Sequence, residues 1–210
     1  MKKTLLLALA MIAVGCVDDP RNVEELLQQG PTYLDPETLE PYSGPVFELS
    51  SENPSEIWRR FDLKDGMRDG LFKEYHDNGQ LSRRRTFRDG EMEDGPRDSY
   101  HENGRLQEKG TWKDGGWNGP WESYYDNGQV MQRGTFKDGA WDGPRELYHD
   151  NGQVSLKWMY KDGETHGPFV DYWPDGQVMQ RGTYNMGEKC GEWFEYGKTV
   201  TYPPCPDTEN

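Results

Sequence analysis

A chain of 210 residues with 38 Asp and Glu against 24 Lys and Arg has a formal net charge of −14, and 32% of it is hydrophobic. The acidic balance counts against nucleic acid, which needs a basic face, and against electrostatic attraction to anionic lipid heads. So little apolar material cannot fill one thick core, but 8 Trp, 12 Tyr and 7 Phe set mostly at fixed intervals argue for a thin sheet rather than a disordered polymer.

At the N-terminus, Lys2 and Lys3 precede an apolar run over residues 5–14 that is too short to span a bilayer. Ile12-Ala13-Val14-Gly15-Cys16 closes it and resembles a bacterial lipobox. The resemblance implies that residues 1–15 are a lipoprotein signal peptide and that Cys16 becomes the lipidated, palmitate-bearing N-terminus. Several acyl chains together give stable anchoring, where one would be marginal. Val17 rather than Asp follows Cys16, which in such lipoproteins points to the outer membrane of the cell envelope where a cell has one. The alternative is an ordinary secretory signal with an incidental cysteine.

Residues 16–41 are rich in Asp, Glu, Pro and Gln and show no sustained period. Residues 23–29 predict a turn or two of helix ended by Gly30-Pro31, inside a tether that lifts the rest of the chain off the membrane.

Residues 42–202 form a repeat array. An opening glycine recurs at Gly70, Gly95, Gly119, Gly143, Gly167 and Gly191, and a second at Gly79, Gly104, Gly128, Gly152 and Gly176. Such a period is the signature of stacked supersecondary units. The second glycine mostly follows Asn, as in Asn78-Gly79 and Asn127-Gly128, and Asn-Gly between β-prone runs is a strong hairpin signal because both residues tolerate positive φ. A second turn, Asp-Gly, recurs at Asp89-Gly90 and Asp138-Gly139. Each unit is therefore a β-hairpin, and successive hairpins predict one long antiparallel meander. About seven units fit, the first degenerate around Gly44 and the last truncated after Tyr196, followed by a tail at 203–210. Two strands advance such an array by roughly 10 Å.

A Tyr stands five positions after each opening glycine (Tyr75, Tyr100, Tyr124, Tyr148, Tyr172, Tyr196), and Phe72, Arg97, Trp121, Arg145, Phe169 and Trp193 stand two positions after it. An odd separation places these slots on opposite faces of a flat strand, unless a bulge turns one row over. Second strands carry Gly-Thr-aromatic, as at Gly134-Thr135-Phe136, where the glycine leaves room for a neighbouring ring. With these residues in place, the chain resembles the bacterial variant of the MORN repeat over residues 44–196. The resemblance implies an all-β, elongated meander and an association with protein scaffolding and sometimes lipid contact. Bacterial proteins of this kind also carry an antitoxin-like label.

The chemical readings divide as follows. His76, His101 and His149 share the slot after the Tyr, but equivalent residues roughly 10 Å apart cannot share one ion with bonds near 2 Å, so no metal is expected. The Asp-Gly turns lack the ligand run of a calcium loop. No nucleophile–base pairing, phosphate loop or cofactor motif stands out, so the reading is a protein that is not an enzyme and has no catalytic residue. The candidate binding surface is Arg83, Arg84 and Arg85 with the rings of Trp121, Trp141, Phe169 and Trp173. An exposed ring row favours glycan, whereas buried rings are simply the core of a thin sheet. The leading reading is a membrane-anchored lipoprotein that presents its repeats to an envelope protein; the alternatives are a cell-wall glycan module and an antitoxin-like partner of a toxin. Finally, lipidation of Cys16 leaves Cys190 and Cys205 as a possible disulfide that folds residues 199–202 over the last edge, the alternative being two free thiols.

Overall fold

The computed structural model describes residues 19–206. The expected signal peptide and Cys16 lie outside the described residues. Seven hairpins follow one another. Hairpin 1 pairs Gly44–Leu49 with Ile57–Lys64, hairpin 2 Gly70–Tyr75 with Leu81–Arg88, hairpin 3 Gly95–Tyr100 with Leu106–Lys113, and hairpin 4 Gly116–Tyr124 with Val130–Lys137. Hairpin 5 pairs Ala140–Tyr148 with Val154–Lys161, hairpin 6 Glu164–Tyr172 with Val178–Asn185, and hairpin 7 Glu188–Glu195 with Lys198–Thr201. All seven join in one sheet whose order follows the chain, the expected antiparallel meander.

Two turn types alternate, and they are assigned differently from the sequence expectation. Positive φ at two successive residues, the requirement of the tight primed turn, occurs at the Asp-Gly turns, for example Asp138 (φ 50°) with Gly139 (φ 83°). At the Asn-Gly turns only the glycine is left-handed, as at Gly128 (φ 89°). There the Gly128 N–H donates to Tyr125 O at 2.9 Å and the Tyr125 N–H to Gln129 O, which is a type I turn closed by a glycine bulge. The asparagine is retained for its side chain. Asn127 Oδ1 accepts from the Gln129 N–H at 2.8 Å, and its amide reaches the carbonyl of Asp150 in the next hairpin. The same bridge runs from Asn78 to Glu102 O (2.6 Å) and from Asn103 to Asp126 O (2.7 Å).

A register shift recurs before the Tyr slot of each hairpin from 1 to 6, between Ser123 and Tyr124 for instance. The Tyr nevertheless stays on the face opposite its strand's ring slot, since Tyr124 hydrogen-bonds Glu122, the neighbour of Trp121. Both faces therefore carry aromatic rows.

The N-terminal segment corrects the tether expectation. Arg21–Asn22 adds to the sheet edge in parallel with Gly44–Leu49, Val23–Glu25 makes one 3-10 turn, and Leu27–Gln29 pairs with Thr32–Leu34. The predicted helix over 23–29 is thus a short turn followed by a strand. The cause is packing: Leu26 and Tyr42 are buried with Val46, Phe61, Leu63 and Phe72, and Val23 and Tyr33 pack against them. An array has no central core, so its first unit needs a cap. At the far end Lys198–Thr201 covers the last edge and Cys190 and Cys205 form a disulfide, with Cα atoms 4.8 Å apart. The Gly191 N–H donates to Pro203 O and the Tyr202 N–H to Gly191 O, which pins the tail.

Candidate functional site

Strand alternation sorts the repeated slots into two faces with different chemistry. On the ring face, Trp121 sits across from Gly134, Arg145 across from Trp158, and Phe169 across from Gly182. The strand glycines are required here. An added Cβ at Gly134 would meet the Trp141 ring at 2.7 Å, and one at Gly110 would meet Trp121 at 2.8 Å. The rings lie edge-on or stacked in sequence: Trp121 on Phe136 and Trp141, Phe136 on Trp141 at 3.7 Å between centroids, then Phe169, Tyr184 and Trp193. Arg145 fits this stack as a flat cation, 4.1 Å over Trp141 and 5.1 Å from Trp158, with its guanidinium donating to Gln132 at 2.7 Å.

The opposite, charged face carries a cross-strand ladder of alternating sign: Arg84, Asp98, Lys109, Glu122, Arg133, Glu146, Lys157. Arg84 pairs with Asp98, Lys109 with Glu122 at 2.8 Å, Arg133 with Glu146 at 2.6 Å, and Lys157 with Glu146 at 3.0 Å. The Tyr row locks it, because Tyr124 donates to Glu122 and Tyr148 to Glu146. Burial alone would raise the Glu146 carboxyl, but donors from Tyr148, Lys157 and Arg133 outweigh it and hold the group down at about 2. The Tyr148 hydroxyl moves the other way, to about 12, through burial and the neighbouring Glu146. The Lys109 bond is the largest cause holding the Glu122 carboxyl below its ordinary range. The ladder changes toward the C-terminus, where Val170 and Phe194 flank Arg181 in place of carboxylates.

The histidine column explains what its slot shares. His76 Nε2 lies 2.8 Å from Tyr100 O, His101 Nε2 2.8 Å from Tyr124 O, and His149 Nε2 3.3 Å from Tyr172 O. Tyr125, in the same slot, donates its hydroxyl to Tyr148 O at 2.7 Å. The common property is a donor at the far end of a ring, stitching each of hairpins 2 to 5 to the next. The sequence signal of this stitch is that His and Tyr, which share the slot, both carry a distal donor.

Of the sequence-predicted surface, Trp121 is buried, Trp141 and Phe169 are half-buried within the ring stack, and Trp173 is exposed. These four rings do not form a common exposed platform. Arg83, Arg84 and Arg85 do not act as one basic run either. Arg84 pairs with Asp98 on the charged face, while Arg83 and Arg85 turn to the ring face and share Glu74, at 3.0 and 3.8 Å, with Arg59. Sequence reasoning missed Arg97, which stands in a ring slot beside Arg85. Its guanidinium lies 3.7 Å over Trp112 and donates to Met92 Sδ, and among the described residues no carboxylate lies within ion-pair distance of it. Burial and the adjacent Arg85 push it down to about 10, with Asp94 offsetting part of the effect. Among the described residues no group of three or more His, Cys, Asp or Glu is arranged to hold a metal ion.

A family model described as MORN repeat variant matches residues 68–89, 93–114, 117–138, 141–162 and 165–186. These segments span hairpins 2 to 6, take in just over half of the chain, and end at the Asp-Gly or equivalent turns. No curated protein matches the chain.

Proposed function

Because the chain belongs to the MORN repeat variant family, we propose that it is a non-enzymatic repeat scaffold, held at a membrane through lipidated Cys16, that offers its sheet to a protein partner of the cell envelope. One observation carries the scaffold reading. The described residues build a single sheet with only a two-stranded hairpin beside it, although domains ordinarily close a sheet with a second layer. Of the stacked rings of the middle hairpins, Trp121 is buried, but Trp112, Trp117, Phe136, Trp141, Trp158 and Phe169 are only half-buried. A partner laid on that sheet would supply the missing layer.

The glycan alternative would need exposed rings, and of the four candidates Trp173 alone is exposed. Anchoring rests on the N-terminal motif ending at Cys16, and export favours an envelope partner over a cytoplasmic toxin. The test has two parts. Cys16→Ser should move the protein from the membrane to a soluble or unprocessed fraction and abolish acyl labelling; unchanged labelling would sink the anchor. Crosslinking in cells followed by identification of the bound protein should return one dominant partner on the sheet. Recovery of peptidoglycan fragments in its place would favour the glycan reading.

A further inference from the structure

The ring row across the sheet runs Phe72, Arg85, then Arg97, Gly110, Trp121, Gly134, Arg145, Trp158, Phe169, Gly182, with Arg85 and Arg97 next to the Arg84–Asp98 pair that joins their strands. Its packing rule alternates a large residue with a glycine, or layers flat groups on one another. Arg85 and Arg97 stand out because two cations meet where hairpins 2 and 3 join, whereas the later joins bring Gly110 to Trp121, Gly134 to Arg145 and Trp158 to Phe169. Like charges on adjacent strands destabilise a sheet. Arg145 shows that an arginine alone is no exception, since it lies between two indoles and is hydrogen-bonded. The Arg85–Arg97 pair is settled only in part: Arg97 stacks on Trp112 and donates to Met92 Sδ, but it has no carboxylate partner among the described residues and stands against the Arg85 charge. The Glu74 carboxylate is divided among three guanidiniums, and the buried Nε of Arg97, like that of Arg145, has no acceptor.

An open hollow lies over this break, lined by Arg83, Arg85, Arg97, Ser99, Glu108 and Trp117. Arg84 and Asp98 also border it and neutralise each other. Within a chain of formal charge −14, this hollow gathers Arg83 and Arg85, which share the one Glu74 carboxylate, beside Arg97, which has no carboxylate partner among the described residues. We propose that the hollow between hairpins 2 and 4 binds a carboxylate of an acidic polypeptide segment, held across Arg85 and Arg97 with the adjoining chain on Trp117 and the exposed Met92. This rests on the scaffold reading above and names the chemistry of the partner's contact.

Two features select a carboxylate. Arginine matches its planar, bidentate geometry. Glu108 on the rim repels a phosphate dianion more than a carboxylate monoanion. The apolar flank of Trp117 and Met92, the latter 40% exposed, suits the side chain next to an acidic residue in an extended segment.

The test uses the full chain and a labelled, end-blocked octapeptide of alternating glutamate and alanine, read by fluorescence anisotropy at physiological salt. The expected result is saturable binding, weakened at least tenfold by Arg85→Gln and by Arg97→Gln, and unchanged by Arg133→Gln on the charged face. The glutamine–alanine peptide should not bind. Near-ultraviolet circular dichroism establishes that each variant keeps its packed rings, and Arg85→Gln, which leaves the Arg97 stack on Trp112 in place, stands if Arg97→Gln does not fold. No binding, or binding indifferent to both substitutions, overturns the proposal. So does displacement of the peptide by equimolar inorganic phosphate. A cellular partner whose crosslinks map away from hairpins 2 to 4 would also overturn it while leaving the scaffold reading in place.

Discussion

Gly182→Ala isolates the steric logic of the ring face. Gly182 lies outside the left-handed region, so alanine is conformationally permitted there, and fewer unfolded conformations would by themselves stabilise the protein by about 0.4–1 kcal/mol. Packing decides otherwise. The added Cβ would fall inside the indole of Trp193, against Cγ, Cδ2 and Cε2, and Trp193 is fully buried. That ring cannot swing away freely. Its Nε1 donates to Thr183 O at 3.1 Å and Cys190 O at 3.2 Å, and its faces and edges meet Phe169, Tyr184 and Tyr202. Overpacking costs about 1–3 kcal/mol and a lost hydrogen bond about 1 kcal/mol, so the net expectation is about 2–3 kcal/mol of destabilisation. The assay is urea denaturation followed by tryptophan emission and far-ultraviolet circular dichroism, with disulfide-intact protein. In an array the loss should fall on the C-terminal hairpins first, separating the two probes. Trp193→Val should cost less in the Gly182→Ala background than in the parent, because there it also relieves the crowding. A single Gly182→Ala variant as stable as the parent would refute the claim that the glycine exists to seat the ring.

Asn103→Ala removes the bridge to Asp126 O and the cap on the Arg105 N–H, and should cost about 1–2 kcal/mol in urea unfolding with faster amide exchange at that turn. Cys205→Ser opens a crosslink spanning 15 residues, so urea unfolding should show about 3 kcal/mol less stability, and parent protein should resist alkylation until reduced. Glu146 is held near 2 against an ordinary 4.5, so the stability it contributes is full above pH 4.5 and is lost as pH falls toward 2. With screening of its partly exposed partners that loss is about 1–2 kcal/mol, and Glu146→Gln should erase this part of the acid-unfolding curve.

The meander was legible because its causes are local. Glycine turns recur at a fixed period, and β-prone runs between them leave the hairpin as the available unit. The division of labour between the two turns was not legible, because Asn-Gly and Asp-Gly share backbone tolerances. Only the bridge from Asn127 to Asp150 O, a contact with the following hairpin, shows why asparagine is kept where its own φ is ordinary. The N-terminal cap was read as a tether for a related reason. Its apolar residues, Val23, Leu26, Tyr33 and Tyr42, follow no period, and their common destination against Val46 and Phe61 exists only once hairpin 1 is folded.

The arginine run shows the same limit most sharply. Three consecutive cations read as one basic patch, but a strand sends alternate side chains to opposite faces, so Arg84 leaves its neighbours for Asp98. The residue that joins Arg85 is Arg97, twelve positions on, and nothing in the local sequence marks the two as a pair. A repeat supplies the missing reference. Once each position is assigned to a slot, Arg85 stands where the array has Gly110, Gly134, Gly182 and once Trp158, and Arg97 where it has Phe72, Trp121, Phe169, Trp193 and once Arg145. Departures at two facing slots of one hollow are then a local conflict within an otherwise consistent array, and such conflicts are where function is expected to reside.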